Sequence, residues 1–331
     1  MEPARHLRPT ARAAGTGGAS RLTAVRGASS PALPASEGVV DDTLDLLLGA
    51  ARRLAPEALA RVEADVASCL SRIPTCLNEY GYDAWGFSPE TSRRAFTLMA
   101  LLYRHWFRVE MHGIENLPAG RVMVVANHSG QLPFDAAMMM VGAILEADPP
   151  RILRGMAEYW MPTLPLVGTM GTRIGSVVGT PKNCIDLLRG EEAVLVFPEG
   201  VRGLNKPFAR RYRLQRFGLG FMRLALEADA PIVPAVVVGA EEQIPSVGNL
   251  DAIGRAVGLP SLPIPLLLPI LGPLAMLPLP VKYHVWIGEP MRFSGNPHDE
   301  DVFVEGLVDR VRAQMRSMIE RGLRERRSSF F

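Results

Sequence analysis

From residue 108 onward, short β-prone runs alternate with segments of helical periodicity, and this alternation limits the fold more than any other feature. Four runs have the length and apolar content of buried strands. They are VMVVA (122–126), AVLVF (193–197), PIVPAVVVG (231–239) and YHVWIG (283–288). Continuous apolar strands need a layer of helices on each face of their sheet. The sequence therefore predicts an α/β fold in which a mainly parallel mixed sheet is flanked by helices.

The helices between these strands are predicted at 134–147, 181–190, 221–229 and 299–326. Two further helical segments precede the alternating region. Residues 41–72 carry apolar residues at three-four spacing, with Pro56 suited to a first helical turn, and residues 89–107 form the second segment. We therefore predict an N-terminal helical subdomain over 41–107, followed by the α/β domain over 108–331.

Residues 1–40 differ in composition from the rest of the chain. They contain five arginines and two glutamates, and most of the remainder is Gly, Ala, Ser and Pro. No apolar stretch of the kind found in secretory signals follows the arginines. We predict a disordered basic tail, and an organelle transit peptide stays open as the alternative.

Composition excludes several classes of partner and site. The formal net charge is only +2, so bulk charge does not indicate a nucleic-acid partner, and we expect none. The three cysteines, Cys69, Cys76 and Cys184, have the spacing of neither a disulfide framework nor a zinc site. Since no other cluster along the chain has ligand spacing, we expect no metal site.

One long apolar segment, residues 259–281, contains seven prolines. A regular membrane-spanning helix cannot absorb that many missing amide donors, so we predict an extended or broken apolar loop and no membrane span. Two roles stay open for this loop: packing over the core, or insertion into a membrane surface.

The first candidate for chemistry is a histidine that follows the strand at 122–126. His128 lies two residues beyond this strand, and Asp135 follows seven positions later. A continuous helix would separate the two side chains by about 10 Å along its axis. Gly130 and Pro133 favour a loop, which can bring them together. In such a pair the imidazole accepts a proton from an alcohol and the carboxylate orients the ring. A structural pair at the edge of the core is the alternative.

The second candidate is the segment VFPEGVRGLNKPFARRYRLQRFG, residues 196–218. Glu199 and Gly200 turn the chain where the strand at 193–197 ends, and six cations follow without an acidic residue between them. They are Arg202, Lys206, Arg210, Arg211, Arg213 and Arg216. So many cations at the end of a strand suggest an anionic ligand such as a phosphate, or an acidic membrane surface. A solvated basic loop would account for some of them.

Together these segments resemble the glycerolipid acyltransferases, the family of glycerol-3-phosphate and lysophosphatidate acyltransferases. NHSGQLPFD is similar to the first motif of the family, and VFPEGVRG is similar to the third. PIVPAVVVG resembles the fourth, and MPTLPLVGTMGTRIGSVVG lies where the second belongs. The resemblance covers roughly residues 105–290 and implies an O-acyltransferase. Its donor would be acyl-CoA or an acyl carrier protein thioester, and its acceptor a lipid hydroxyl.

The resemblance also implies roles for individual residues. His128 is expected to be the general base and Asp135 its partner. Glu199, Gly200 and Arg202 are expected to form the acceptor site, to which we add Arg173. Lys206, Arg210 and Arg211 are expected to contact an anion or the membrane. The family further implies a role in phospholipid biosynthesis, no cofactor beyond the acyl donor, and a membrane-associated protein on the cytoplasmic face.

Two departures from the family pattern affect the acceptor. Six residues separate His128 from Asp135 where the usual motif has four, and Arg173 precedes the apolar run that it commonly follows. We expect a lysophospholipid such as lysophosphatidate as acceptor. The alternatives are a neutral alcohol, such as a mono- or diacylglycerol, and a lipid-binding membrane protein without turnover.

Overall fold

The computed structural model describes residues 35–256 and 258–328. Within these ranges the helices are α1 (Ala35–Leu54), α2 (Pro56–Ser71), α3 (Pro89–Leu101), α4 (Phe134–Leu145), α5 (Val167–Arg173), α6 (Pro181–Arg189), α7 (Val201–Leu204), α8 (Gly220–Glu227), α9 (Asp251–Ala256), α10 (Leu268–Leu271) and α11 (Asp301–Glu325). The strands are β1 (Glu110–His112), β2 (Val122–Ala126), β3 (Leu153–Ala157), β4 (Val177–Val178), β5 (Ala193–Val196), β6 (Ile232–Val238), β7 (Ser246–Leu250), β8 (Leu262–Pro265) and β9 (His284–Ile287).

Seven of these strands form one mixed sheet in the order β1-β9-β6-β2-β5-β3-β4. The five strands from β6 to β4 are parallel to one another. β9 runs antiparallel to β6, and β1 is parallel to β9. The predicted α/β fold with a mainly parallel mixed sheet flanked by helices is therefore confirmed.

The apolar strands are buried on both faces, as their composition predicts. In β2, Val122, Val124 and Ala126 belong to one apolar core, whereas Met123 and Val125 belong to the other. Helices α1 to α4 cover the first face, and helices α6, α8 and α11 cover the second. Successive side chains of a strand point to opposite faces, so a run without polar residues supplies both cores.

The N-terminal helices pack on this fold. The segment predicted as one helix over 41–72 is two helices, because the first ends at Leu54 and Pro56 starts the second at its first turn. Helix α1 begins at Ala35, inside the predicted tail, and residues 1–34 lie outside the described part of the chain. Val66 of α2 and Phe96 of α3 share a core with α4. The division into a helical subdomain and an α/β domain stays a prediction.

The proline-rich apolar segment is broken into short pieces. β8 pairs with β7 in a two-stranded antiparallel sheet, and α10 and a 3-10 turn over Gly272–Met276 follow. Several of its large apolar side chains are exposed, which excludes complete burial in the core. They are Leu266, Leu268, Ile270, Leu271, Leu274 and Leu277. Among the described residues, no helix has both the length and the apolar character needed to cross a membrane.

Parallel strands end at a common edge, and this edge carries the residues singled out in the sequence. β2 ends at Ala126, β5 at Val196 and β6 at Val238. These three strands are neighbours in the sheet, so the segments that follow them meet. Ligand sites in α/β folds are commonly found at the carboxyl ends of such strands.

Candidate active site

His128 and Asp135 lie in direct contact. His128 Nδ1 is 2.8 Å from Asp135 Oδ2, so the loop does bring the two side chains together. The chain leaves β2, turns at Gly130 with a φ of +92°, and enters α4 one residue before Asp135. A residue with a Cβ disfavours this backbone conformation, so glycine is suited to the turn.

The contact fixes the chemistry that the imidazole can perform. A carboxylate only accepts hydrogen bonds, so Nδ1 carries the proton and Nε2 holds the free lone pair. The ring stacks on Phe197, with centroids 4.1 Å apart, and its side chain is 13% exposed. His128 is therefore oriented, partly shielded from water and able to accept a proton through Nε2.

Asp135 is fully buried, and its carboxylate has several donors. Oδ2 also accepts from the backbone N–H of Ser129 at 2.8 Å, and Oδ1 accepts from the N–H of Ala136 at 2.8 Å. Asp135 lies in the first turn of α4, where the helix dipole stabilises negative charge. A buried carboxylate with this many donors remains an acceptor and can stabilise an imidazolium beside it.

The loop that carries His128 is held by side chains that the motifs did not reveal. Gln243 donates through Nε2 to the carbonyls of Gly130 (2.6 Å) and Leu132 (3.0 Å). Tyr283 donates its hydroxyl to Gln243 Oε1. Both residues are buried and distant from His128 in sequence. Only the folded chain brings them to the loop, so no local pattern could have indicated them.

Glu199 connects the loop that carries His128 (the histidine loop, residues 127–133) to the segment that carries the six cations (the basic loop, residues 202–216). It is 1% exposed, and its Oε1 accepts from the backbone N–H of His128 at 3.2 Å. Its Oε2 accepts from the N–H of Gln215 at 2.5 Å. The carboxylate therefore fixes the backbone of the histidine loop and that of the basic loop. Its expected contact with the acceptor stays a prediction.

Gly200 and Arg202 lie at the start of α7. Gly200 has a φ of +57°, and a Cβ there would lie 3.2 Å from the Glu158 carboxylate. At Gly203, one turn further, a Cβ would lie 3.0 Å from the carbonyl oxygen of His128. The glycines thus allow α7 to pack against the histidine loop, and Arg202 is exposed beside it.

A cavity of about 430 Å³ opens next to α7. Arg202 and Arg210 line it, together with Arg255 of α9, which the sequence analysis did not single out. Asp251 is the acidic residue in its lining. The cavity therefore brings together three arginines from two segments of the chain. Arg211 is exposed and stacks on the ring of Phe208, with its guanidinium 4.5 Å from the ring centroid.

Lys206 also lines this cavity, but it is already paired within the protein; its expected contact with an anion or a membrane stays a prediction. Its side chain is 3% exposed, and Nζ pairs with Glu241 Oε1 at 2.9 Å. Glu241 also accepts from the N–H of Tyr212 at 2.9 Å. Burial raises the pKa of Glu241 to about 7, against the lowering effect of Lys206. An ammonium at this depth is held by its partner carboxylate, and it ties the basic loop to the turn after β6.

Arg173 also lies apart from the arginines of the cavity. Its guanidinium is 3.8 Å from the ring centroid of Tyr82 and donates to the carbonyl of Gly86 at 3.0 Å. These contacts attach α5 to the segment before α3. The structure does not bring Arg173 into the lining of the cavity, and its acceptor role stays a prediction.

Comparison with known proteins agrees with the motifs. A family model described as Acyltransferase matches residues 108–238. An uncharacterized protein of Mycobacterium tuberculosis is 38% identical over 282 residues, covering 83% of this chain and 78% of its own length. A Gallus gallus protein named as a DGAT1/2-independent enzyme synthesizing storage lipids is 25% identical over 219 residues, covering 65% and 60% of the two chains.

Among solved structures, the chain is similar to the 1-acyl-sn-glycerophosphate (LPA) acyltransferase of Thermotoga maritima. The TM-score is 0.46 and the identity 18%, over 72% of this chain and 83% of the other.

Proposed function

Since this chain belongs to the glycerolipid acyltransferase family and is an acyltransferase, we propose that it moves a fatty acyl group from a thioester to a lysophospholipid such as lysophosphatidate. The observation that carries the proposal is the contact between His128 Nδ1 and Asp135 Oδ2 at the carboxyl edge of the sheet. The donor is acyl-CoA or an acyl carrier protein, and no other cofactor takes part.

In the proposed reaction, His128 Nε2 takes the proton of the acceptor hydroxyl while the oxygen attacks the thioester carbonyl carbon. The bond from this carbon to sulfur then breaks, and the imidazolium returns its proton to the departing thiolate. The products are an ester and a free thiol, and no acyl-enzyme forms. Asp135 stabilises the imidazolium between the two proton transfers, because its carboxylate oxygen lies 2.8 Å from Nδ1.

The cavity beside α7 supports a phosphorylated acceptor. Arg202, Arg210 and Arg255 line it, and α7 packs against the carbonyl of His128. A planar guanidinium matches two oxygens of a phosphate. We propose that Arg202 binds the acceptor phosphate and that Glu199 and Gly200 shape this side of the site.

A neutral acceptor is the second candidate. The Gallus gallus relative is named for the synthesis of storage lipids, and the second-motif arginine, Arg173, binds Tyr82 and Gly86 instead of the cavity. On this alternative a mono- or diacylglycerol takes the place of lysophosphatidate, and the arginines contact the membrane.

We propose that the protein associates with the cytoplasmic face of a membrane without crossing it. The exposed leucines of residues 266–277 supply apolar contact, and Arg211 and its neighbours supply charge. The basic loop contacts the start of the proline-rich segment, since Asn205 donates to Ser261. We expect that apolar insertion and attraction to anionic lipids act on one side of the molecule.

The proposal is tested with labelled acyl-CoA and two acceptors, lysophosphatidate and a monoacylglycerol. We expect His128→Ala to abolish transfer to both, whereas His105→Ala, an exposed histidine on the turn after α3, keeps the activity of the parent. Arg202→Ala should lower kcat/KM for lysophosphatidate by about ten- to more than a hundredfold, since a charge-assisted contact contributes about 1.5–3 kcal/mol. Transfer to the monoacylglycerol should change little.

Lysine at position 202 should restore only part of this loss, because it keeps the charge but lacks the planar guanidinium. Equal losses on both acceptors would mean that Arg202 supports the loop and binds no phosphate. The neutral acceptor would then be the better proposal. Unchanged transfer by His128→Ala would refute the catalytic role of the pair.

A further inference from the structure

A second cluster of ligating side chains lies at one edge of the sheet, on the edge strand β1 and its neighbour β9. Glu110 and His112 are two residues apart on β1, so both point to the same face. In the parallel register, Glu110 is paired with His284 of β9, and His112 is paired with Trp286. The fold thus places one carboxylate and two imidazoles side by side, although His284 is far from the others in sequence.

The donor atoms of this cluster are close enough for one ion. Glu110 Oε2 is 3.2 Å from His284 Nδ1 and 3.9 Å from His112 Nε2, and one donor from each residue lies within 4.8 Å of the others. Ligands of a tetrahedral zinc ion, bound at about 2.0–2.2 Å, are separated by about 3.3–3.6 Å. The side chains of His112 and Glu110 are 39% and 45% exposed, which leaves both room to move toward a common ion.

Two imidazole nitrogens in this cluster are buried without a hydrogen-bond partner. They are Nε2 of His112, the atom that faces Glu110, and Nε2 of His284, a different atom from the Nδ1 through which His284 faces Glu110. A buried polar atom without a partner is destabilising. A metal ion bound to Nε2 of His112 would remove this cost at that atom.

The neighbouring groups limit the geometry of binding. Lys282 Nζ lies 2.6 Å from Glu110 Oε1, so this oxygen is occupied and Oε2 is the one that faces the histidines. Trp286 stacks on His112 with centroids 4.7 Å apart and fixes the plane of that ring. One oxygen of Glu110 and two oriented imidazoles remain as ligands.

We propose that Glu110, His112 and His284 bind one divalent transition-metal ion, with zinc as the best match to two imidazoles and a carboxylate. The ion joins the edge strand β1 to β9. Because the folded chain assembles the ligands and the unfolded chain does not, bound metal stabilises the fold. The site is separate from His128 and Asp135, and it does not depend on the proposed reaction.

The test uses the full chain without an affinity tag, dialysed against a chelator and titrated with Zn²⁺ alone. We expect one zinc ion per chain and a melting temperature that rises with zinc concentration. Co²⁺ should give the visible absorption bands of a tetrahedral site. His112→Ala should weaken zinc binding by at least about tenfold, which is the smallest effect typical of losing even a group that only orients a ligand.

The matched control is His298→Ala, which removes an exposed histidine elsewhere and should bind zinc like the parent. The melting temperatures of both variants without metal report whether they are folded, and His112→Gln provides a second variant that keeps a polar side chain. Zinc binding of equal affinity in the parent and in folded His112→Ala or His112→Gln would overturn the proposal, as would the absence of stoichiometric binding at micromolar zinc.

Discussion

Replacing Asp135 by asparagine removes its charge with almost no change in the shape of the side chain. The carboxylate accepts three hydrogen bonds, from His128 Nδ1 and the N–H of Ser129 on Oδ2, and from the N–H of Ala136 on Oδ1. An asparagine has one acceptor oxygen and one NH₂ group of nearly the same shape. In either orientation of the amide, the NH₂ group faces at least one buried donor, so at least one hydrogen bond is lost.

The structure indicates the size of the effect on stability and of the effect on catalysis. One unsatisfied buried donor should lower the free energy of unfolding by about 1–3 kcal/mol. In the proposed reaction, an imidazolium at His128 would lose its carboxylate partner, and a charge-assisted hydrogen bond contributes about 1.5–3 kcal/mol. At about 1.36 kcal/mol for each factor of ten, Asp135→Asn should lower kcat about 10- to 150-fold. KM should change little, because Asp135 is fully buried behind the histidine.

The assay measures acyl transfer under saturating acceptor and follows unfolding in denaturant. Asp309→Asn is the matched control, since that carboxylate is exposed on α11 and far from the site in sequence. Loss of stability with kcat retained within twofold would refute the electrostatic role. Asp135 would then only maintain the loop, and His128 would need another partner for its charged form.

Four further outcomes follow from backbone geometry, burial and exposure. Gly130→Ala should lower the free energy of unfolding by about 1–3 kcal/mol, because its φ is +92° and a Cβ would lie 2.3 Å from a buried amide nitrogen. Gly306→Ala, with open space around the position, should stabilise α11 by about 0.5–1 kcal/mol. The pKa of Glu241 is raised from 4.5 to about 7, so the folded state binds its proton more tightly and loses stability as pH rises over that range. Glu241→Gln should remove this slope in denaturant titrations run at several pH values. Ile270→Glu should reduce sedimentation with anionic vesicles about tenfold or more, whereas Val302→Glu, equally exposed at 80%, should not.

The strands were predictable from sequence because burial on both faces requires continuous apolar residues. β2, β5 and β6 follow this rule, and their predicted ranges agree with the observed strands within one residue at each end. β3 carries Arg154, and β1 carries Glu110 and His112, so neither has an apolar signature. These strands are defined by pairing with neighbours, and a local pattern contains no information about such pairing.

The same distinction applies to the site. His128 and Asp135 lie on one loop, so their contact follows from local turn chemistry. Lys206 looked like one cation among six, and only the turn after β6 supplies Glu241 as its partner. His284 had no partner along the chain, because the parallel pairing of β1 and β9 brings Glu110 beside it. Sequence thus identified residues with reactive groups but not which of them the fold had already paired.

This pairing also affects the charge of the cavity in which we propose that the acceptor binds. Lys206 also lines the cavity, but its ammonium lies 2.9 Å from Glu241, which offsets its charge to the extent that Glu241 is ionised. Apart from this pair, the charged residues of the lining are Arg202, Arg210 and Arg255 against Asp251, a net of two positive charges. A phosphate monoester carries about −1.5 to −2 at neutral pH. A lysophosphatidate headgroup would nearly neutralise this lining, whereas a neutral glyceride would leave its charge to water and to anionic lipids, so the balance supports the phosphorylated acceptor.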